Sequence, residues 1–279
     1  MDIATMALAN AMSAKETGDA CPKHHCPLLS TKNMRDGATR TYCPQCDLEK
    51  LQALQLDFDR RAQAEIEARK FRENSLVNPK MWSCTFDSFV AEEGSREAVM
   101  KKKVGKAAEA FAMKKVPHHA VLYGQPGAGK SHLAMALMQK VHQTSGQSMA
   151  FINISRLFSR LKNSFDDPSE YWTKEKALQI MTGVDLLCID DLGTESSMGR
   201  SGQEATKWAQ DIIYDVLENQ DRIIITTNLS EQEMKRVYDA KIFSRIFANS
   251  QNTRFDFSGI TDKRLMPISK VGREHNGRD

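Results

Sequence analysis

Apolar and polar positions divide this 279-residue chain into three regimes. Over the first 46 residues the large apolar side chains are few and scattered, and residues 1–20, rich in Ala and Met, read as a mobile or marginally helical leader. From residue 47 to residue 74 Gly and Pro are absent. Leu48, Leu51, Leu54, Leu56 and Phe58 give way there to Ala, Glu, Arg and Lys, so the stretch reads as one long helix, apolar in its first half and solvated in its second. Asn78-Pro79 breaks that pattern. Beyond it, short apolar runs alternate with amphipathic stretches. Residues 120–123, 148–154 and 223–228 read as buried strands, as does the start of 185–193, and residues 253–257 as another. Helices are expected through Lys101-Lys102-Lys103 (a solvated basic face, with nucleic-acid contact the alternative), over 130–141, over 202–218 and from Ser230, where Ser230 and Glu233 form a capping box. A further helix over 155–165 sets Leu157, Phe158, Leu161 and Phe165 on one face, with Arg156, Arg160 and Lys162 on the other. The tail from Lys270 reads as frayed. The alternation predicts an α/β fold, a parallel sheet flanked by helices. The expected domains are residues 1–46, a linker helix over 47–78, and 79–279.

The strand at 120–123 runs into Gly124, Gln125, Pro126, Gly127, Ala128, Gly129, Lys130 and Ser131, with His132 next. The spacing Gly-x-x-x-x-Gly-Lys-Ser between a strand and a helix is that of a phosphate-cradling loop. Glycines let backbone N–H groups approach a polyphosphate, and the helix N-terminus behind them carries partial positive charge. Lys130 would reach the β- and γ-phosphates of ATP, and Ser131 would sit on Mg²⁺. In the stretch 185–193 a short apolar run ends in Asp190 and Asp191, placing a carboxylate pair at the tip of a central strand. Asp190 would hold the Mg²⁺ shell. Asp191 would polarise the attacking water, its short side chain either slowing hydrolysis or relying on nearby Glu195. Asn228 ends the next strand, where it would bond the γ-phosphate or the water, or cap the strand. The phosphate-loop strand and the Asp190 strand are expected side by side.

Hydrophobic residues make up 41% of the chain and charged ones 27%, enough for a sizeable core. The net charge of +3 makes no case for nucleic acid by itself. No apolar run approaches the roughly 18 residues of a membrane span, and no signal peptide is evident, so a cytoplasmic protein without membrane partners is expected. Four of the six cysteines fall between Cys21 and Cys46, which favours metal over disulfides. Cys43 and Cys46 have knuckle spacing, and Cys21 pairs with either His24 or Cys26, so a structural Zn²⁺ is expected. The basic and aromatic residues from Arg156 to Lys174, including Tyr171 and Trp172, suit either an ordinary sheet-joining helix or a single-strand groove with stacking platforms.

Residues 81–266 resemble the AAA+ ATPase domain of replicative helicase loaders of the DnaC/DnaI type, including their phage relatives. The resemblance runs through Thr85-Phe86-Asp87-Ser88-Phe89, the phosphate loop, Phe151-Ile152-Asn153-Ile154-Ser155-Arg156-Leu157, residues 186–195, and Thr226-Thr227-Asn228-Leu229. Cys21-Pro22-Lys23-His24 with Cys43-Pro44-Gln45-Cys46 is similar to the zinc-binding N-terminal region of some loaders, which favours His24 as the fourth ligand. The resemblance implies that Arg245 is an arginine finger acting on ATP held by a neighbouring subunit, hence self-association through the ATPase domain. It also implies that Arg264 is a second sensor arginine and that residues 155–165 contact single-stranded DNA. The implied work is loading a hexameric replicative helicase at the initiation of DNA replication, with the N-terminal module gripping the helicase. A transposition helper ATPase of the IstB type, acting on duplex DNA, shares these motifs and is the alternative; the zinc pairs weigh against it.

Overall fold

Three short strands begin the described part of the chain: β1 (Lys15–Ala20), β2 (Pro27–Lys32) and β3 (Thr39–Tyr42), antiparallel in that order. The structure is a computed structural model and describes residues 14–32, 37–113, 119–195, 206–248 and 250–262. Lys15–Ala20 was expected to belong to a leader; it is a strand because pairing with β2, Lys15 opposite Ser30 and Ala20 opposite Pro27, satisfies its backbone. The rest of that leader lies outside the described residues.

The chain divides between Glu65 and Ile66 into two compact units. In the first, the buried described residues are Cys21 and Cys43, so the sheet has no hydrophobic core among the described residues. Helix α1 (Pro44–Glu73) begins here. Leu48, Leu51, Leu54, Leu56 and Phe58 are all exposed on it, and the ion pairs Arg61–Asp57 (2.8 Å) and Arg69–Glu73 (2.7 Å) follow helical i,i+4 spacing.

The second unit holds a five-stranded parallel sheet in the order β5-β6-β7-β4-β8. Its strands are β4 (His119–Tyr123), β5 (Met149–Asn153), β6 (Leu186–Leu192), β7 (Ile223–Thr227) and β8 (Arg254–Asp256). The helices are α2 (Arg96–Ala112), α3 (Lys130–Ser145), α4 (Ile154–Asn163), α5 (Lys174–Gly183), α6 (Lys207–Asn219), α7 (Glu231–Val237) and α8 (Ala240–Ala248). Alternate strand residues enter two cores. Ile152, Leu187, Ile189, Ile223 and Ile225 meet Leu157, Phe158 and Ile212 from the helices; Leu122, Phe151, Cys188 and Ile224 meet Val104, Phe111 and Leu133. Strands covered on both faces are why these segments read as continuous apolar runs. Leu76 pairs with Ile152 along the outer edge of β5, with N–H···O bonds of 2.9 and 3.0 Å to Phe151 and Asn153.

Two expectations change. The phosphate-loop strand β4 and the Asp190 strand β6 are not neighbours, because β7 lies between them and pairs with both. Phe165 does not join the apolar face of α4: the helix ends at Asn163, leaving Phe165 72% exposed with its ring centroid 6.0 Å from that of Trp208. The capping box of α7 is present as read, with Ser230 and Glu233 exchanging side-chain bonds with each other's backbone N–H. Among the described residues no helix is long and apolar enough to cross a membrane.

Phe158 sits at the centre of the core over α4. Phe158→Ala is expected to cost about 3–5 kcal/mol, read as a fall in the urea midpoint; a loss within experimental error would show that this face is not packed as described.

Candidate functional site

The C-terminal ends of β4, β6 and β7 meet at one edge of the sheet, and the phosphate loop leaves from β4. Gly124 has φ 128°, and a Cβ there would stand 2.7 Å from the backbone of Phe257 and Ser258. Gly129 has φ 89°, and a Cβ on it would meet the Phe89 ring at 2.5 Å. Only glycine tolerates both the dihedral and the approach. Gly129 is also the N-cap of α3 and offers no side-chain acceptor, so the first N–H groups of that helix face the loop without a protein cap. Lys130 is buried, and its Nζ donates to Gly124 O (2.8 Å), Gln125 O (2.7 Å) and Asn228 Oδ1 (2.7 Å). One ammonium thus joins the loop to the end of β7. A cavity of about 510 Å³ opens here, walled by Met81 and Phe89 at one end and by Lys130, Ser131, Asp191 and Asn228 at the other.

His132 lines the same cavity, with Nε2 2.9 Å from Thr85 O and 3.1 Å from Ser88 Oγ and its ring edge-on to Phe89. It therefore pins the turn at 85–89 to α3. Within that turn Thr85 N–H donates to Ser88 Oγ (2.8 Å) and Ser88 N–H to Thr85 Oγ1 (3.1 Å), a reciprocal lock of the kind Ser and Thr form locally.

Asp190 and Asp191 occupy an irregular stretch of β6 where pairing with β7 shifts register, and Asp191 adopts φ 58°. A non-glycine residue in the left-handed region is a strained one, of the sort held in place at functional sites. Two side chains on the neighbouring strands, Thr226 and Asn153, hold the pair. The Thr226 hydroxyl donates to Asp190 Oδ1 (2.7 Å) and accepts from Asp191 N–H (2.9 Å). The Asn153 amide donates to Asp190 Oδ2 (3.2 Å) and Asp191 Oδ2 (3.4 Å), while its oxygen caps α4 by accepting from Arg156 N–H (3.2 Å). Thr194 adds a bond to Asp191 O (2.9 Å) and contacts Ser155 Oγ at 2.6 Å. Asn153 lies in a stretch that carries the resemblance, and the residue itself signals a cap by its position, an N-cap type at a strand-to-helix junction.

Glu195 is not placed to assist Asp191. It is buried, its oxygens accept from Gly193 N–H (2.9 Å) and the Tyr238 hydroxyl, and burial pushes its carboxyl up from the ordinary range. Arg245 lies on α8 and does not line the cavity: its guanidinium stacks 4.4 Å over the Tyr214 ring, donates to the Tyr214 hydroxyl (3.0 Å) and pairs with Glu218. Arg264 falls outside the described residues. On α4, exposed Arg156 and Arg160 border a cavity of about 360 Å³ with Ser155, Ser159 and the segment 75–77, and Arg160 is paired with Glu170 at 3.0 Å.

In the first unit Cys21, His24, Cys43 and Cys46 bring one ligand atom each to within 4.8 Å of one another. His24 Nδ1 lies 3.8, 3.5 and 3.4 Å from the sulfurs of Cys21, Cys43 and Cys46, and Cys21 and Cys46 sulfurs are 3.8 Å apart. Around a tetrahedral zinc, sulfur–sulfur distances of about 3.8 Å and sulfur–nitrogen distances of about 3.5 Å are expected. The donor set fits that ion. Cys26 Sγ is 3.3 Å from Cys43 Sγ but stands outside the four-atom group. The other ring nitrogen of His24 meets Glu49 Oε1 at 3.1 Å, the carboxylate–histidine arrangement that fixes a ligand's tautomer.

Two outcomes are expected. Asn153→Ala should slow ATP turnover by about tenfold or more while nucleotide affinity stays within about threefold, measured by steady-state hydrolysis and titration with a fluorescent ATP analogue; equal losses in both would make Asn153 a merely structural residue. Freshly purified protein should carry one zinc per chain, retained in Cys26→Ser and lost in His24→Ala. Metal analysis giving the reverse order would exchange the two as ligands.

Comparison with known proteins follows the same lines. The sequence model described as IstB-like ATP binding protein matches residues 94–248. The chain is 26% identical over 194 residues to the uncharacterized protein YdaV of Escherichia coli (strain K12), covering 68% of this chain and 72% of that one. It is 26% identical over 170 residues to the replicative helicase loader DnaC of Buchnera aphidicola subsp. Acyrthosiphon pisum, covering 59% of this chain and 63% of the loader, so it spans just under two thirds of that relative's length. The solved structure of DnaI superposes with a TM-score of 0.52 at 20% identity over 68% of this chain and 95% of that one, a likeness of fold. With a parallel sheet, a phosphate loop and paired strand-end carboxylates arranged in this way, the chain belongs to the IstB-like ATP binding protein family and is an AAA+ ATPase.

Proposed function

We propose that this ATPase loads a hexameric replicative helicase onto single-stranded DNA at the initiation of DNA replication. The observation that carries the proposal is the double use of Asn153. The same side chain that holds Asp190 and Asp191 caps α4, the helix that presents Arg156 and Arg160 to solvent. Exposed Phe165 and Tyr171 lie close along the chain, so cations for a phosphate backbone and rings for unstacked bases belong to one segment. A strand bound there would act on the carboxylates through the cap. The similarity to DnaC supports the same reading.

In this reading the loop residues Gly124 to Ser131 and His132 frame ATP, Lys130 neutralises its terminal phosphates, and Ser131 and Asp190 hold Mg²⁺. Asp191 polarises the attacking water and Asn228 orients it. Arg245, held by Tyr214 and Glu218, is offered to the site of an adjoining copy, where a cation supplied from outside stabilises charge in the transition state. Arg264 completes the set as a second sensor. Residues 1–46 form the zinc module that grips the helicase, 47–78 the linker helix and 79–279 the ATPase domain. Zinc, when bound, supplies a cross-link in a unit whose described residues bury no large apolar side chain. The work takes place in the cytoplasm.

The match to IstB-like proteins favours a second reading, a transposition helper acting on duplex DNA. Hydrolysis measured with single strands, duplex and a replicative hexamer separates the two. The loader reading expects stimulation by single strands together with the hexamer, and Arg245→Ala should lower that assembled rate by about tenfold or more while sparing nucleotide affinity. Stimulation by duplex alone, with no association with the hexamer under ATP, would sink it.

A further inference from the structure

On the other face of the 85–89 turn lies a groove between α2 and α3 that the ATPase chemistry does not use. It encloses about 620 Å³, against about 510 Å³ for the cavity beside the phosphate loop. Three ammonium groups ring it: Lys102 and Lys106, one helical turn apart on α2, and Lys140 on α3. All three are exposed, and among the described residues none makes a hydrogen bond or an ion pair. Two carboxylates, Asp87 and Glu109, share the groove without closing on the lysines, so it stays open between charges of opposite sign.

The floor is small. Gly105 lies inside α2, where glycine is destabilising relative to alanine, yet a Cβ built on it meets nothing within 4 Å. Neither a left-handed dihedral nor a close neighbour calls for glycine at this position. Beside it Ala136 contributes another short side chain. A helix-interior glycine over open space, ringed by free cations, leaves room for a ligand to approach the backbone.

We propose that this groove is a second binding site, for a phosphorylated ligand of nucleotide size. Lysine ammonium groups at three points suit a polyphosphate, each acting as a mobile point charge. Asp87 and Glu109 suit the hydroxyl or amino donors of a nucleoside, and the volume lies within the range of small-ligand sites. The one ring on its lining, Phe86, is half-buried against the core rather than exposed like Phe165 and Tyr171, and the two carboxylates oppose an extended nucleic-acid backbone. The groove also adjoins the catalytic cavity through a single turn. Thr85, Phe86 and Asp87 line the groove, whereas Ser88 and Phe89 line the cavity, and the reciprocal bonds between Thr85 and Ser88 make the turn one piece. Occupancy of the groove therefore reaches Phe89, the residue seated over Gly129. The site stands independently of the loader reading; only the coupling requires ATP in the catalytic cavity.

Isothermal titration of the full chain tests it, with the catalytic cavity first saturated by a non-hydrolysable ATP analogue and Mg²⁺. Inorganic tripolyphosphate and guanosine 5′-diphosphate are the probes. One further equivalent of each is expected to bind, weakened by about tenfold or more in K102A/K106A/K140A and abolished in Gly105→Leu, which fills the floor without removing charge. Gly105→Ala serves as the folding control, and all variants should bind the ATP analogue in the first step. Prior addition of a probe should change the analogue's Kd by about threefold or more. Absence of a further equivalent, or binding indifferent to both the lysine and the Gly105→Leu variants, overturns the site. Displacement of tripolyphosphate by a short DNA duplex that needs the same lysines overturns the ligand class and makes the groove a nucleic-acid contact.

Discussion

The amide of Asn153 is the joint on which the catalytic edge of the sheet depends. A parallel sheet sends every strand's C-terminus to one side, so the tips of β5, β6 and β7 crowd Asn153, Asp190, Asp191 and Thr226 together. Two of them are adjacent carboxylates on a strained stretch of β6, and like charges so close repel. Donation from Asn153 and Thr226 offsets that repulsion. Hydrogen bonds to charged groups contribute about 1.5–3 kcal/mol each, a scale comparable to the cost of a left-handed residue at Asp191. Lys130 provides the matching joint on the other side by reaching Asn228 across from the loop. The strand β7, set between β4 and β6, is what makes both joints geometrically available.

The two units hold together by opposite means. In the ATPase unit both faces of the sheet are packed with aliphatic and aromatic side chains, and the chemistry is confined to one edge. The first unit buries two cysteines and no large apolar group among its described residues. Against the cost of burial, the Cys46 N–H and the side chains of Cys26, His24 and Cys21 hold the Cys43 thiol down to about 6. A sulfur so disposed toward the thiolate is ready to ligate a cation. Ligation then takes the part that a hydrophobic core plays elsewhere.

Legibility in the sequence followed the range of the interactions. The phosphate loop, the carboxylate pair, Asn228 and the capping box of α7 were visible because each is encoded within a few consecutive residues. Strand order was not, since the placement of β7 between β4 and β6 depends on pairing between segments a hundred residues apart, for example Tyr123 with Thr227. Asn153 and Thr226 stand in stretches that carry the resemblance, yet their hold on the carboxylates was hidden for the same reason: their partners are 37 and 36 residues away, and nothing local distinguishes them from an ordinary cap and an ordinary strand residue. Glu195 illustrates the converse. Its nearness in sequence to Asp191 hinted at shared chemistry, whereas the chain turns it inward to Tyr238 and Gly193. Strand β1 escaped notice because all six of its side chains are exposed, so no alternation of apolar residues marks it.

Leu76 gives the sheet edge one more property. It is bonded to the backbone of Phe151 and Asn153, so the chain leaving α1 is laced into β5 at the residue that holds the carboxylates. Ser75 strengthens the lacing by accepting from Phe151 N–H at 2.9 Å. A pull transmitted along α1 would load the packing of buried Phe71 against Trp82 and His142, and then these few bonds in shear. Mechanically, the linker is fastened to the catalytic edge itself, and its tension is an input that the carboxylates at that edge are placed to feel.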